Sequence, residues 1–323
     1  MIAPPQPGDR IDHYRVDRLV ARSGMASIFR GTDIRNGGLV AIKIPHPERE
    51  CDVVFFDRFQ REGEIGRKLD HPGIVKVLTH DDPRGRVCMV MEWVEGRPLR
   101  EILDEEKKLS PERAVRIALQ VCEALAYIHE QGVVHHDLKP ENIMVDENDC
   151  IKLIDFGIAG EARTRWSLFG KFTKAMGTPD YASPEQIRGK RGDARSDVYS
   201  LGAILYELLT GEVPFSGSDP VVAMNQRLLT EPEPPREINP EISPQLQEIV
   251  LQALESQPDY RYATAREFAC DLLHPQDVKV EERIALRNGR HAMKEGNVSW
   301  SYAALALIPI LIFGLLLLVA HQH

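Results

Sequence analysis

The stretch His135-His136-Asp137-Leu138-Lys139-Pro140-Glu141-Asn142 is followed, thirteen residues after Asn142, by Asp155-Phe156-Gly157. Phosphoryl transfer from a nucleotide needs a carboxylate to orient the attacking hydroxyl, and oxygen ligands to hold Mg²⁺ against the phosphates. Asp137 suits the first task. Asn142 and Asp155 suit the second, and Lys139 can neutralise the moving phosphoryl group. A single aspartate reads most simply as a turn or cap residue. The ordered set, with strand-like sequence between its halves, does not.

Outward from this stretch the chain divides in two. Residues 14–94 alternate in short apolar runs with the period of strands, as at 27–30, 39–44 and 87–94, broken by Gly, Asn and Asp turns. One helical pattern interrupts them over 53–69. From Ser110 the spacing turns helical, with Ser110 as cap, Pro111 in the first turn and Gly132 past the end. Strands are expected at 143–145 and 151–153, then helices over 196–210, 219–229, 244–254 and 264–272. The pattern predicts a small β-rich lobe, a hinge over 91–98 and a larger helical lobe, an α+β bilobal arrangement.

At this point the sequence resembles the eukaryotic-like (Hanks-type) serine/threonine protein kinases, in their bacterial membrane-anchored branch, over residues 14–273. The resemblance implies a kinase domain over 14–274, with lobes meeting at 94 and 95. It makes Asp137 the catalytic-loop aspartate, Asn142 and Asp155 the metal ligands, and Lys139 a catalytic partner. Val40-Ala41-Ile42-Lys43 matches the family's lysine-bearing strand, which puts Lys43 on the α- and β-phosphates with Glu62 as its ion-pair partner. Gly177-Thr178-Pro179-Asp180-Tyr181-Ala182-Ser183-Pro184-Glu185 resembles the end of an activation segment. By the same resemblance Glu185 pairs with Arg261, and Asp197 braces the catalytic loop. Val20, Ala21, Ser23, Gly24, Ala26, Ile28, Ala41, Glu92 and Val94 would surround the nucleotide, and Met91 would back the adenine pocket. ATP and Mg²⁺ are the implied cofactors, with Mn²⁺ able to substitute.

Two positions depart from the family pattern. The phosphate loop should read GxGxxG, yet Ala21, Ser23 and Ala26 stand at the glycine positions, so weaker nucleotide handling is expected. His136 replaces the usual arginine, and an imidazole lacks the guanidinium fork that binds an activation-segment phosphate. Dependence on such phosphorylation should be weak or nil. Thr173 and Thr178 are the candidate autophosphorylation sites.

The net charge of −9 argues against a nucleic-acid partner. Cys51, Cys88, Cys122, Cys150 and Cys270 form no CxxC pair and read as thiols of a reducing compartment. Residues 1–10 carry three prolines and no apolar run, unlike a signal peptide. Residues 303–320 are eighteen uncharged residues preceded by Trp300 and Tyr302, about 27 Å if helical. Arg287, Arg290 and Lys294 lie ahead of them. The expectation is a partly helical linker over 275–299 and one C-terminal transmembrane helix over 303–320. A lipid bilayer would then be a partner, and the protein a single-pass, C-terminally anchored one of the inner (plasma) membrane with its kinase domain in the cytoplasm.

The expected activity is transfer of the γ-phosphoryl group of ATP to serine or threonine of protein substrates, including itself, in signal transduction. A homodimer formed by exchange of activation segments is compatible with the resemblance. Two other readings stay open here: a pseudokinase that only binds partners, and a small-molecule phosphotransferase of related fold.

Overall fold

The computed structural model describes residues 5–23, 26–46, 53–81, 87–155, 180–217 and 219–289. Strands β1 (Arg10–Ile11), β2 (Tyr14–Arg22), β3 (Ala26–Asp33), β4 (Leu39–Pro45), β5 (Val77–Asp81) and β6 (Val87–Glu92) pair antiparallel in the order β1-β2-β3-β4-β6-β5. Side chains alternate faces along a strand. Val40, Ile42 and Ile44 of β4 therefore enter a core with Ile11, Tyr14, Val16, Phe29 and Val90, while Ala41 and Lys43 face the other way. Each such aliphatic side chain stabilises the fold by roughly 1.5–3 kcal/mol on full burial. Helix α1 (Val53–Gly66) packs against β5 and carries Glu62.

The larger lobe holds α2 (Leu99–Glu106), α3 (Pro111–Glu130), α4 (Pro184–Ile187), α5 (Ala194–Thr210), α6 (Pro220–Leu229), α7 (Pro235–Ile238), α8 (Pro244–Ala253) and α9 (Ala265–Leu273). Ser110, Asp193, Asp219, Ser243 and Thr264 each cap a helix by accepting a main-chain N–H. Helix α5 is the centre: every residue from Ser196 to Thr210 is buried, so its polar side chains, Asp197 and Glu207 among them, must find partners within the protein. Its Gly202 lets α8 come close, since a Cβ there would lie 2.7 Å from that of Ala253.

A second sheet joins the site's two halves. Strands β7 (Arg97–Pro98), β8 (Ile143–Val145) and β9 (Ile151–Leu153) pair in that order. The Ile154 amide donates to the Asn142 carbonyl at 2.9 Å, so Asn142 and Asp155 are brought to one edge although they lie thirteen positions apart. Residues 276–323 form a second unit, whose described part contains a helix over 280–289.

The membrane expectation is corrected. Among the described residues no helix is long and apolar enough to cross a bilayer, and 303–320 lies outside them. The apolar run, its flanking aromatic and basic residues and the resemblance point to a transmembrane helix, a membrane-anchored branch, a bilayer partner and a single-pass inner-membrane location; none of these has structural support. The apolar helices that are described, α5 above all, bury their surface in protein. Smaller differences concern boundaries. The helix expected to reach 69 ends at Gly66, and the strand expected to reach 94 ends at Glu92. Helices α2, α4 and α7 had no sequence expectation.

Candidate active site

Register along the first sheet gathers one set of residues. Ile28 lies opposite Lys43, Ala26 opposite Pro45, and Ala21 opposite Ile28, so Ala21, Ala26, Ile28, Ala41 and Lys43 share a face. Lys43 Nζ donates to Glu62 Oε1 at 2.8 Å and to Asp155 Oδ1. This ammonium links β4, α1 and the second residue past the end of β9.

The three groups set one another's charge. Burial works against the charge on Lys43, but the carboxylates of Asp155 and Glu62 outweigh it and hold the ammonium pKa above its ordinary value. Burial pushes the Glu62 carboxyl up to about 8, with Lys43 pulling down and Asp155 pushing up. Asp155 moves the other way. Burial opposes its charge, yet Lys43 and a hydrogen bond with Glu62 hold its carboxyl below the usual carboxylate range.

The catalytic-loop stretch is held by α5. Asp197, fully buried, accepts from the main-chain N–H groups of His135 and His136 and from His129 Nε2, each at 2.8 Å. Burial would raise its pKa, but the hydrogen bond from His129 and the neighbouring imidazoles keep it below the ordinary value. His136 has φ +62° and Asp155 φ +67°. Non-glycine residues in this region cost about 1–3 kcal/mol each, so outside contacts must hold them. Lys139 Nζ donates to Asp137 Oδ2 at 2.9 Å, and Asn142 Nδ2 donates to the Asp137 carbonyl at 2.8 Å. Burial lowers the pKa of both His135 and His136, which favours neutral imidazoles.

The nucleotide side is more open. Val20 and Ala21 are exposed, Ala26 is buried, and Ile28, Ala41 and Val94 are half-buried. Ser23 closes the turn: its amide donates to the Ala26 carbonyl at 2.9 Å, and its Oγ both accepts from the Ala26 amide and donates to that carbonyl at 3.1 Å. The Ser23 hydroxyl thus ties Ser23 to Ala26, two of the three positions where the family pattern has glycine. Met91 is buried, and the Glu92 carboxylate receives Lys152 Nζ at 2.7 Å and the Lys76 amide at 2.9 Å. Gly24, Phe156, Gly157, Thr173 and Thr178 lie outside the described residues.

The far wall is built by ion pairs that cross the lobe. Glu185 meets Arg261 through two hydrogen bonds of 2.8 and 2.7 Å, and Ser196 Oγ adds a third of 2.6 Å. Arg100 Nη1 and the Tyr181 hydroxyl both donate to Glu207, at 2.9 and 2.5 Å. Arg227, 1% exposed, donates to the carbonyls of Asp180 and Ala182. Gln186 Nε2 donates to the His136 carbonyl at 2.8 Å. Sequence reasoning missed Arg100, His129, Gln186, Glu207 and Arg227. Of these only Gln186 had a local signal, as the third residue after Ser183 in a capping box.

The donor set fits Mg²⁺. Asp155 supplies carboxylate oxygen, and Asn142, whose amide nitrogen is already committed, has its Oδ1 left to offer. Magnesium favours such hard oxygens, one or two from protein and the rest from phosphate and water. Among the described residues no group of three or more His, Cys, Asp or Glu is placed to hold a metal by itself.

With this geometry in place, residues 14–273 match the family described as protein kinase domain. The chain belongs to that family. It is 39% identical over 266 residues to the serine/threonine-protein kinase PknB of Mycolicibacterium smegmatis, covering 81% of this chain and 43% of that one. It is 41% identical over 263 residues to a probable serine/threonine-protein kinase of Streptomyces coelicolor, covering 80% and 39%. The crystal structure of the Mycobacterium tuberculosis PknI kinase domain superposes with a TM-score of 0.67 at 26% identity, over 84% of this chain and 100% of that one. These findings support a bacterial Hanks-type serine/threonine kinase domain of bilobal fold, with the ATP- and Mg²⁺-dependent phosphotransfer of that family; they give no support to a membrane-anchored branch. The chain spans about two fifths of the length of the curated relatives it matches.

Proposed function

We propose that the protein as a whole is a signalling kinase that moves the γ-phosphoryl group of ATP to serine or threonine hydroxyls of protein substrates. The kinase domain spans 14–274, its lobes meet at 94 and 95, and 275–299 is a linker. Asp137 accepts a hydrogen bond from the incoming hydroxyl and takes its proton as the new P–O bond forms and the bond from the γ-phosphorus to the departing ADP breaks. Lys139, already on Asp137, steadies charge on the transferring group. Lys43 holds the α- and β-phosphates and is itself positioned by Glu62. Asn142 and Asp155 would hold Mg²⁺, or Mn²⁺ in its place, which would supply charge neutralisation on the phosphates. Val20, Ala21, Ser23, Gly24, Ala26 and Ile28 cover the nucleotide from above, and Ala41, Glu92 and Val94 border its adenine. Glu185, Asp197 and Arg261 are structural. Thr173 and Thr178 are the proposed self-modification positions.

The observation that carries this reading is Lys43 seated between Glu62 and Asp155, which joins both lobes at one ammonium. Catalysis is then chiefly positioning and charge stabilisation. The test is transfer of radiolabelled γ-phosphate by the full chain with Mg²⁺ to myelin basic protein or casein, beside Asp137→Asn and Lys43→Met. Label on serine or threonine that disappears in both variants supports the reading. No label above those controls, from folded protein, overturns it.

A further inference from the structure

The peptide unit just before Asp137 is held at both ends by side chains from elsewhere in the lobe. His136 sits at φ +62°, a conformation that a non-glycine residue does not keep unaided. Its N–H is taken by Asp197 Oδ1 at 2.8 Å, and its C=O accepts from Gln186 Nε2 at 2.8 Å. Gln186 is itself oriented, because its Oε1 accepts from the Ser183 amide at 2.9 Å and from Ser183 Oγ at 3.0 Å. A main-chain N–H can only donate and a carbonyl can only accept, so the Gln186 amide has one possible orientation. Among the described residues the His136 side chain makes no comparable link: its Nδ1 is buried without a hydrogen-bond partner there, and burial favours its neutral form.

We propose that Gln186 is a positioning residue for Asp137: it ties the Ser183 anchor at the end of the activation segment to the catalytic loop through the main chain. The link rests on the reading of Asp137 as the residue that orients the acceptor hydroxyl. It does through an uncharged amide what a guanidinium and a phosphate would do through ions, and it needs no modification to form. A chain with His136 in this place can therefore keep its catalytic loop set before any phosphoryl group is added.

Gln186→Glu separates the bridge from the cap. The glutamate keeps an oxygen for the Ser183 amide, the ordinary partner in a capping box, but has no N–H for the His136 carbonyl. Ser183→Ala does the reverse, losing a hydroxyl while leaving the bridge. Steady-state kinetics on the full chain, with myelin basic protein and phosphatase-treated enzyme, should show kcat lowered about ten- to hundredfold in Gln186→Glu with KM for ATP within twofold of the parent. Ser183→Ala should lower Tm and keep kcat. Amide exchange over residues 134–138, measured without ATP, should quicken in Gln186→Glu and not in Ser183→Ala. A Gln186→Glu protein with parental kcat and unchanged exchange overturns the proposal, as does a kcat loss in Ser183→Ala as large as in Gln186→Glu. Inactivity of the parent itself would instead count against the kinase reading, and the exchange comparison would still decide whether the bridge holds the loop.

Discussion

Arg261 and Glu185, 76 residues apart, form a bidentate ion pair with both side chains nearly excluded from water. The guanidinium also donates to the carbonyls of Glu255 and Arg195 and lies 4.9 Å from the centre of the Tyr199 ring. All its polar edges are used, which is what makes a buried pair tolerable.

Removing one member should therefore be worse than removing both. Arg261→Ala or Glu185→Ala is expected to cost about 3–5 kcal/mol, and Arg261→Met with Glu185→Leu clearly less. Urea unfolding of the three proteins checks this; equal losses would sink it. Burial acts to raise the Glu185 pKa, but Arg261 and Ser196 outweigh it and the value is lowered. A depressed folded value means that the contribution is present above the unfolded carboxylate pKa and is lost as pH falls through the folded one.

Lys43→Met should lower phosphotransfer at least about a hundredfold, since both its carboxylate partners and the phosphates lose one ammonium. Radiolabel transfer at saturating ATP measures it. A fall of less than tenfold would mean that Lys43 is not at the phosphates.

The Glu62 carboxyl gives the protein an unusual pH dependence. Its folded pKa of about 8 lies above the unfolded value, so the folded state binds the extra proton. Stability should fall as pH rises from about 4.5 to about 8, by on the order of a few kcal/mol from this group alone. Glu62→Gln should flatten that part of the profile. An unaltered slope in the variant, followed by thermal unfolding at several pH values, would exclude Glu62 as its source.

Asp197→Asn replaces one acceptor oxygen by an NH₂ that faces a main-chain N–H in either orientation, that of His136 in place of Oδ1, or that of His135 together with His129 Nε2 in place of Oδ2. The expected outcome is a loss of about 2–4 kcal/mol and a kcat at least tenfold lower. Both follow from one purified protein by unfolding and kinetics; a normal kcat would detach α5 from the catalytic loop.

Gly96, in the segment between the lobes, has φ +124°, and a Cβ there would stand 2.3 Å from the Val145 carbonyl oxygen. Gly96→Ala should destabilise by well over 1 kcal/mol, because the strain adds to the clash. An unchanged Tm would show that the backbone can shift at no cost.

Much of this site is legible in the sequence because its chemistry is local. Asp137, Lys139 and Asn142 lie within one turn and its flanks, and Lys43 sits on a strand whose alternation is plain. Asp155 is fixed by two short strands that must pair. What the sequence hides depends on register between distant elements. Nothing in spacing joins Arg100 to Glu207 across 107 residues or Gln186 to His136 across 50. The phosphate loop shows a different limit. Counting lost glycines points to a weakened turn, whereas the Ser23 hydroxyl supplies bonds that a glycine count cannot register. The apolar run at 303–320 shows a third, since hydropathy reports how a segment partitions and not what surrounds it.

The contact between Lys43 and Asp155 also sets the terms on which the cleft can be occupied. The lysine serves as counter-ion to that carboxylate. A metal arriving alone would have to evict an ammonium, whereas phosphates drawing Lys43 toward themselves would vacate the seat. Nucleotide and metal should thus enter as mutual facilitators, each raising the affinity for the other by the same factor.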